Sequence, residues 1–224
     1  MSPRPRRMPD SAILHAAAQI VSQTGPDNFT LADVGHEVGL SAATLVQRFG
    51  SKRLLMLAML EQMTSVMNGR FAANLAEGAT PLESLYTAAL DRADPTHGPE
   101  NLANGLAFLF MQISDPDFQA IAAASATKAV EAYKTMLDNA IDVGELSPTV
   151  ADTRELAETI HSMTLGSLMM WVIHRNTDSK PRTRRDLDTL LRPYRRQQKS
   201  ASNHTNGSKI TGPKSMTSAP AVAD

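Results

Sequence analysis

The chain has 224 residues, 42% of them hydrophobic and 20% charged, with no cysteine, one tryptophan and a formal net charge of −1. That length suits one domain, or a small domain joined to a medium one. The missing cysteine excludes a disulfide framework, a thiolate nucleophile and Cys-ligated zinc or iron–sulfur clusters.

The first residues, 1–21, are basic and then apolar, which superficially resembles a secretion signal. Asp10, His15 and Gln19 interrupt the apolar part, so the segment reads as structure in a soluble, cytoplasmic protein. Ile13, Leu14, Ala17, Ile20 and Val21 share one helical face. Asp10 is the expected N-cap, and Gly25-Pro26 the expected stop. Two short elements follow. Thr30-x-x-Asp33 is an acidic variant of the capping box, opening a helix that Gly39 closes. Ser41 then caps a helix running to about Phe49, which Gly50 ends. Ser51 caps a long helix expected over 51–76, with Leu54, Leu55, Met59, Met63, Met67 and Phe71 at three- and four-residue steps. Beyond Gly78, Pro81, Pro99 and Pro116 open helices over about 81–93, 99–113 and 117–143. Gly144 and Pro148 bracket a turn, a helix over 152–176 follows, and Pro181 precedes a last helix near 183–196. From Gln197 onward there is almost nothing to bury, and disorder is expected. The fold class is therefore all-α. The longest strongly apolar run, 163–173, falls well short of the roughly 20 residues of a membrane span, so no membrane partner is expected.

The small net charge conceals a partition. Residues 1–60 hold six Lys/Arg against four Asp/Glu, residues 61–180 seven against sixteen, and residues 181–224 nine against three. A polyanion could approach the head or the tail, while the acidic middle would repel it.

Three short helices in about 50 residues, with a tight glycine turn between the second and third, suit a helix-turn-helix DNA-reading module. Gly39 is expected where the chain reverses without room for a Cβ. The third helix opens on Ser41-Ala42-Ala43-Thr44, side chains small enough for its N-terminus to approach a groove floor and turn N–H groups toward phosphate. Gln47 can pair with N6 and N7 of adenine, and Ala42 and Ala43 can touch thymine methyls. A compact helical subdomain without DNA would share the same spacing.

The stretch 13–60 carries Gly25, Phe29-Thr30, Val38-Gly39-Leu40-Ser41, Thr44-Leu45, Phe49 and Gly50-Ser51-Lys52. It resembles the DNA-binding head of TetR-family transcriptional regulators. The resemblance implies a basic arm (1–9), a helix-turn-helix domain (10–50) and a helical ligand-binding and dimerisation bundle (51–196), with the disordered tail over 197–224. It implies Thr30, Ser41, Thr44, Arg48 and Lys52 as DNA contacts beside Ala42, Ala43 and Gln47. Two positions depart from the family. Val46 stands where Tyr is usual and cannot donate to a phosphate, and Arg48 stands where Tyr or His is usual, a charge in its place. Gly35 replaces a usual Ala and should loosen its helix by up to about 1 kcal/mol.

The implied function is a repressor that binds a palindromic double-stranded operator as a homodimer and is released by a small apolar or aromatic molecule. Met63, Met67, Phe71, Phe108, Met111 and Trp171 are the candidate ligand lining, although such stripes also describe plain core. The all-round apolar stretch 163–173, with Ser162 and Gly166 four apart, suits close approach of a second chain or the centre of a monomeric bundle. Nucleotide-loop, nucleophile-elbow and His-Glu-x-x-His motifs are missing, and the six histidines lack metal-ligand spacing. No enzyme, metal or cofactor is expected. An architectural DNA-coating protein is the rival reading, and the acidic body and pI near 6.6 count against it.

Overall fold

The computed structural model describes residues 8–74, 79–92, 98–150, 152–174 and 179–196. The expected disorder of 197–224 and most of the basic arm lie outside the described residues. Within them the all-α expectation holds, and the one β-type pairing is an isolated bridge between Leu146 and Arg195.

The head comprises α1 (Asp10–Thr24), α2 (Leu31–Val38) and α3 (Ala42–Phe49), followed by the long α4 (Lys52–Asn74). Its boundaries come from local capping. The Thr30 hydroxyl accepts from the Asp33 amide at 3.2 Å, and the Asp33 carboxylate accepts from the Thr30 amide at 2.8 Å, so both halves of the box form. The Ser41 hydroxyl accepts from the Thr44 amide and the Ser51 hydroxyl from the Leu54 amide, each at 3.1 Å. One boundary differs from expectation. Pro9 occupies the cap position of α1, and Asp10 is its first helical residue. The Asp10 carboxylate is drawn instead to Arg48 of α3.

The two glycines of the turn exchange roles. Gly39 has φ +67°, and a Cβ there would meet nothing within 4 Å, so backbone handedness rather than space requires glycine. At Gly35 a Cβ would lie 2.5 Å from the Leu40 carbonyl oxygen. This glycine lets α2 lie against the turn, where the Leu40 amide donates to the Gly35 carbonyl at 2.8 Å. The expected loosening is thus replaced by a close backbone approach.

The body contains α5 (Pro81–Arg92), α6 (Gly98–Ser114), α7 (Pro116–Asp142), α8 (Thr153–His174) and α9 (Ser179–Leu191), then a 3-10 turn over Arg192–Tyr194. Helix α7 is the axle, packing on α4, α5, α6 and α8. Helix α9 begins earlier than expected because Pro181 is accepted in the first turn, where its missing N–H has no intrahelical partner to lose.

Two apolar cores result. One joins Tyr133, Met136 and Leu137 of α7 to Leu85, Ile160 and Leu187. The other gathers Ile13, Phe29, Val34 and Leu45 of the head, Leu55 and Met59 of α4, and also Phe108 of α6 and Phe118 of α7. The head's core therefore extends past residue 50 into the body.

Candidate nucleic-acid interface

Helix α3 buries Leu45 and turns the opposite face outward. Ala43, Val46 and Gln47 are all exposed, Val46 at 46%. Their i, i+3, i+4 spacing places them on one strip. Val46 cannot serve a phosphate as a donor, but it adds an exposed apolar side chain beside Gln47. Its signal in sequence was an apolar residue off the core-facing positions.

At the N-terminal end of α3 the Ser41 and Thr44 hydroxyls lie 2.8 Å apart in a shared hydrogen bond. Ser41 is exposed, Thr44 and Ala42 partly so. Thr30, exposed at the start of α2, donates its hydroxyl to Asp33 at 2.7 Å. That bond and the backbone bond from Thr30 hold the Asp33 carboxyl below its ordinary value.

The cations near α3 are committed to protein groups. Lys52 stands over the Phe29 ring, 4.8 Å from its centroid, and donates to the Asp27 carbonyl at 3.2 Å. Arg53 forks onto Asp115 at 2.8 Å and Asp117 at 2.7 Å and lies over the Phe118 ring. Those bonds raise Arg53 and lower Asp115 from their ordinary values. Arg48, expected to face a phosphate, turns back toward α1, where it pairs with Asp10 and donates to the Met8 carbonyl at 2.8 Å. Its side chain is only 15% exposed.

Residues 13–59 match the family model described as "Bacterial regulatory proteins, tetR family". The head is thus similar to the DNA-binding head of that family. More than four-fifths of the chain shares the fold of solved regulators at low identity. A transcriptional regulator from Saccharomonospora viridis, solved in complex with choline, superposes with TM-score 0.72 at 19% identity, over 84% of this chain and 98% of that one. A TetR transcription regulator from Haloarcula marismortui gives 0.71 at 16%, over 84% and 98%. SmeT, the repressor of the Stenotrophomonas maltophilia multidrug efflux pump SmeDEF, gives 0.65 at 21%, over 85% and 92%. A search of curated proteins finds no match. Over residues 13–59, then, the chain is similar to the TetR family, and over more than four-fifths of its length it has the fold of these regulators.

In the body, the five candidate ligand residues whose side chains are described do not surround one space. Phe108 is buried and Met111 partly buried in the core shared with the head, where Phe108 meets Phe118 edge-on at 6.4 Å. Met67 packs against the other core, while Met63 is 44% exposed. Trp171 is buried on α8, and the Phe71 side chain lies outside the described residues. An open groove of about 470 Å³ runs instead between α4 and α7, lined by Glu61, Thr64, Asn68, Ile121, Ser125 and Lys128 among others. Its lining is more polar than the Met and aromatic stripe suggested. On α8, Ser162, Gly166 and Ile173 are exposed. A Cβ at Gly166 would meet nothing within 4 Å. Among the described residues no helix is long and apolar enough to cross a membrane, and no cluster of His, Asp and Glu could hold a metal ion.

Proposed function

We propose that the protein is a cytoplasmic repressor that binds a palindromic operator as a homodimer and leaves it when a small apolar or aromatic molecule binds the body. The observation that carries this reading is the outward strip of α3, where small and apolar side chains flank one long polar group, Gln47. Gln47 pairs with N6 and N7 of an adenine, and Ala42, Ala43 and Val46 pack against thymine methyls. Thr30, Ser41, Thr44 and Lys52 set position through phosphates. Thr30 and Ser41 rotate hydroxyls that now serve caps, Thr44 rotates the hydroxyl it shares with Ser41, and Lys52 gives up one carbonyl.

The exposed Ser162–Gly166 strip supports pairing through α8, because small residues let two backbones approach closely. A two-fold dimer then requires symmetric half-sites. Helix α4 supports coupling. Its 23 residues span about 34 Å, from Lys52 beside the DNA-reading helices to Met67 in the body. A ligand that favours one tilt of this rod changes the spacing of two heads, which must match major grooves about 34–36 Å apart. The choline complex of the Saccharomonospora viridis regulator supports a small-molecule site in a body of this fold.

Selection from random duplexes, followed by band shifts and sedimentation, tests the reading. The expected result is an enriched palindrome, one discrete complex containing two chains, and its release by some member of a panel of planar aromatic compounds. Laddering on any DNA would favour the architectural alternative. Gln47→Ala should relax preference at one base pair per half-site, at a cost of about 1–3 kcal/mol, whereas Lys52→Ala should weaken all sequences alike.

A further inference from the structure

The groove between α4 and α7 has two walls of different chemistry. On α4, Glu61, Thr64 and Asn68 follow one another at helical steps along the lining. Thr64 spends its hydroxyl hydrogen on the Glu61 carbonyl at 2.9 Å, so toward the groove its oxygen can only accept. Asn68 Oδ1 is buried and has no hydrogen-bond partner among the described residues. A buried acceptor without a donor is costly. With the Glu61 carboxylate, this wall offers a row of acceptors, to which Ser65 and Ser125 add hydroxyls that serve either role.

The α7 wall is apolar where a flat ring would lie, on Ile121 and Ala124, neighbours on one helical face. The lining holds one carboxylate, Glu61, and one ammonium, Lys128, so its formal charges cancel. An ion of either sign would meet repulsion as well as attraction and would still lose its hydration, so a neutral guest is favoured. The space of about 470 Å³ falls within the range of about 300–1,000 Å³ usual for small-molecule sites. Both walls begin beside the Arg53 clamp. Glu61 is eight residues beyond Arg53, about 12 Å along α4, and Ile121 is four beyond Asp117, which Arg53 holds at 2.7 Å. A guest therefore sits between two helices whose N-terminal ends, through Leu55 and Phe118, belong to the head's core.

We propose that this groove binds a neutral aromatic molecule carrying a hydroxyl donor, a phenol, with its hydroxyl on Asn68 Oδ1 and its ring against Ile121 and Ala124. A plain hydrocarbon of the same size would cover the apolar wall and leave the Asn68 acceptor unserved. The hydroxyl is thus the part that the α4 wall selects, and the ring is the part that the α7 wall selects. The proposal rests on the ligand-released repressor reading above, to which it gives a place and a chemical class. Binding is measured without DNA and release with it, so the two can fail separately.

Isothermal titration calorimetry of the full chain tests catechol, 4-ethylphenol and 2-naphthol, each beside its fully O-methylated counterpart, which keeps the ring and oxygen but cannot donate. At least one phenol should bind, about tenfold or more tighter than its ether. Asn68→Leu should reduce that phenol to the affinity of the ether, whereas Asn68→Asp, which keeps an acceptor, should retain most of the binding. Ala124→Phe fills the groove and should abolish binding. Ala123→Phe, at an exposed neighbour outside the lining, should leave it unchanged. Circular dichroism checks that helicity is retained, and the two Asn68 variants decide the matter should Ala124→Phe fail to fold. The proposal is overturned if no phenol binds at millimolar concentration, if the ethers bind as tightly, or if folded Ala124→Phe binds as well as the wild type. Band shifts on the selected duplex then separate site from reading. A compound that releases wild type and Ala124→Phe alike overturns the site and leaves the repressor reading standing. A phenol that binds the wild type but not Ala124→Phe, and releases no DNA, supports the site and overturns release through it.

Discussion

The head and the body are both helical but are specified differently. In the head, short helices are set by residues within four positions of each other: Thr30 with Asp33, Ser41 with Thr44, Ser51 with Leu54. The body's helices are capped locally too, Thr80 with Glu83 and Asp152 with Glu155, but their arrangement is set by contacts far apart in the chain, and α7 carries most of them. Local capping makes the head's outline legible and its geometry reproducible, which a groove-reading module needs. The body's shape depends on how its long helices pack against one another. The two meet at one seam, where Phe108 and Phe118 complete the head's core, Arg53 clamps Asp115 and Asp117, and Asn104 donates to the Ser22 and Gln23 carbonyls at 2.9 Å each.

Breaking the seam should have the largest effect. Phe118→Ala removes a buried ring shared by both parts and is expected to cost about 3–5 kcal/mol. Chemical denaturation followed by circular dichroism should show the head and body losing stability together. Two separate transitions, with only one of them shifted, would show that the seam does not couple the parts. Next is Gly35→Ala. Helix propensity alone would reward it by up to about 1 kcal/mol, but the Cβ meets the Leu40 carbonyl oxygen at 2.5 Å. Overpacking of about 1–3 kcal/mol should win, giving a lower melting temperature and weaker DNA binding.

The matching body substitution, Gly105→Ala, should have the opposite sign. Its Cβ enters open space on exposed α6, so stability should rise by about 0.5–1 kcal/mol. A fall would mean that this face is covered in solution. The smallest effect is that of acid on the Arg53 clamp. Asp115 is held below the ordinary 3.8 chiefly by its bonds from Arg53. The stability it contributes is complete above that value and is lost as pH falls through its lower folded value. Acid titration of unfolding should therefore be flatter in Arg53→Ala than in the wild type, by a small amount because the groups are exposed.

What was legible in the sequence follows the same division. The capping box, Ser41, Ser51 and Gly39 could be read because capping partners lie three residues apart. The Gly35 approach, the turn of Arg48 toward α1 and the true role of Asp10 could not, because their partners lie across a turn or about 40 residues away. The Met and aromatic stripe on the body helices marked residues that pack apolar surface. It could not distinguish one core from two, or either from a ligand lining, because helical spacing records which face is apolar and not what covers it. Pro181 marks a boundary in the sequence pattern, yet it lies inside the first turn of α9, which packs on α8 and α5.

The burial of Trp171 on α8 has a practical consequence. The chain's one tryptophan and its three tyrosines, Tyr86, Tyr133 and Tyr194, all belong to the body. Tryptophan and tyrosine emission therefore watches the body alone. A fluorescence change on adding DNA would be a message that had crossed the seam, read without attaching any dye.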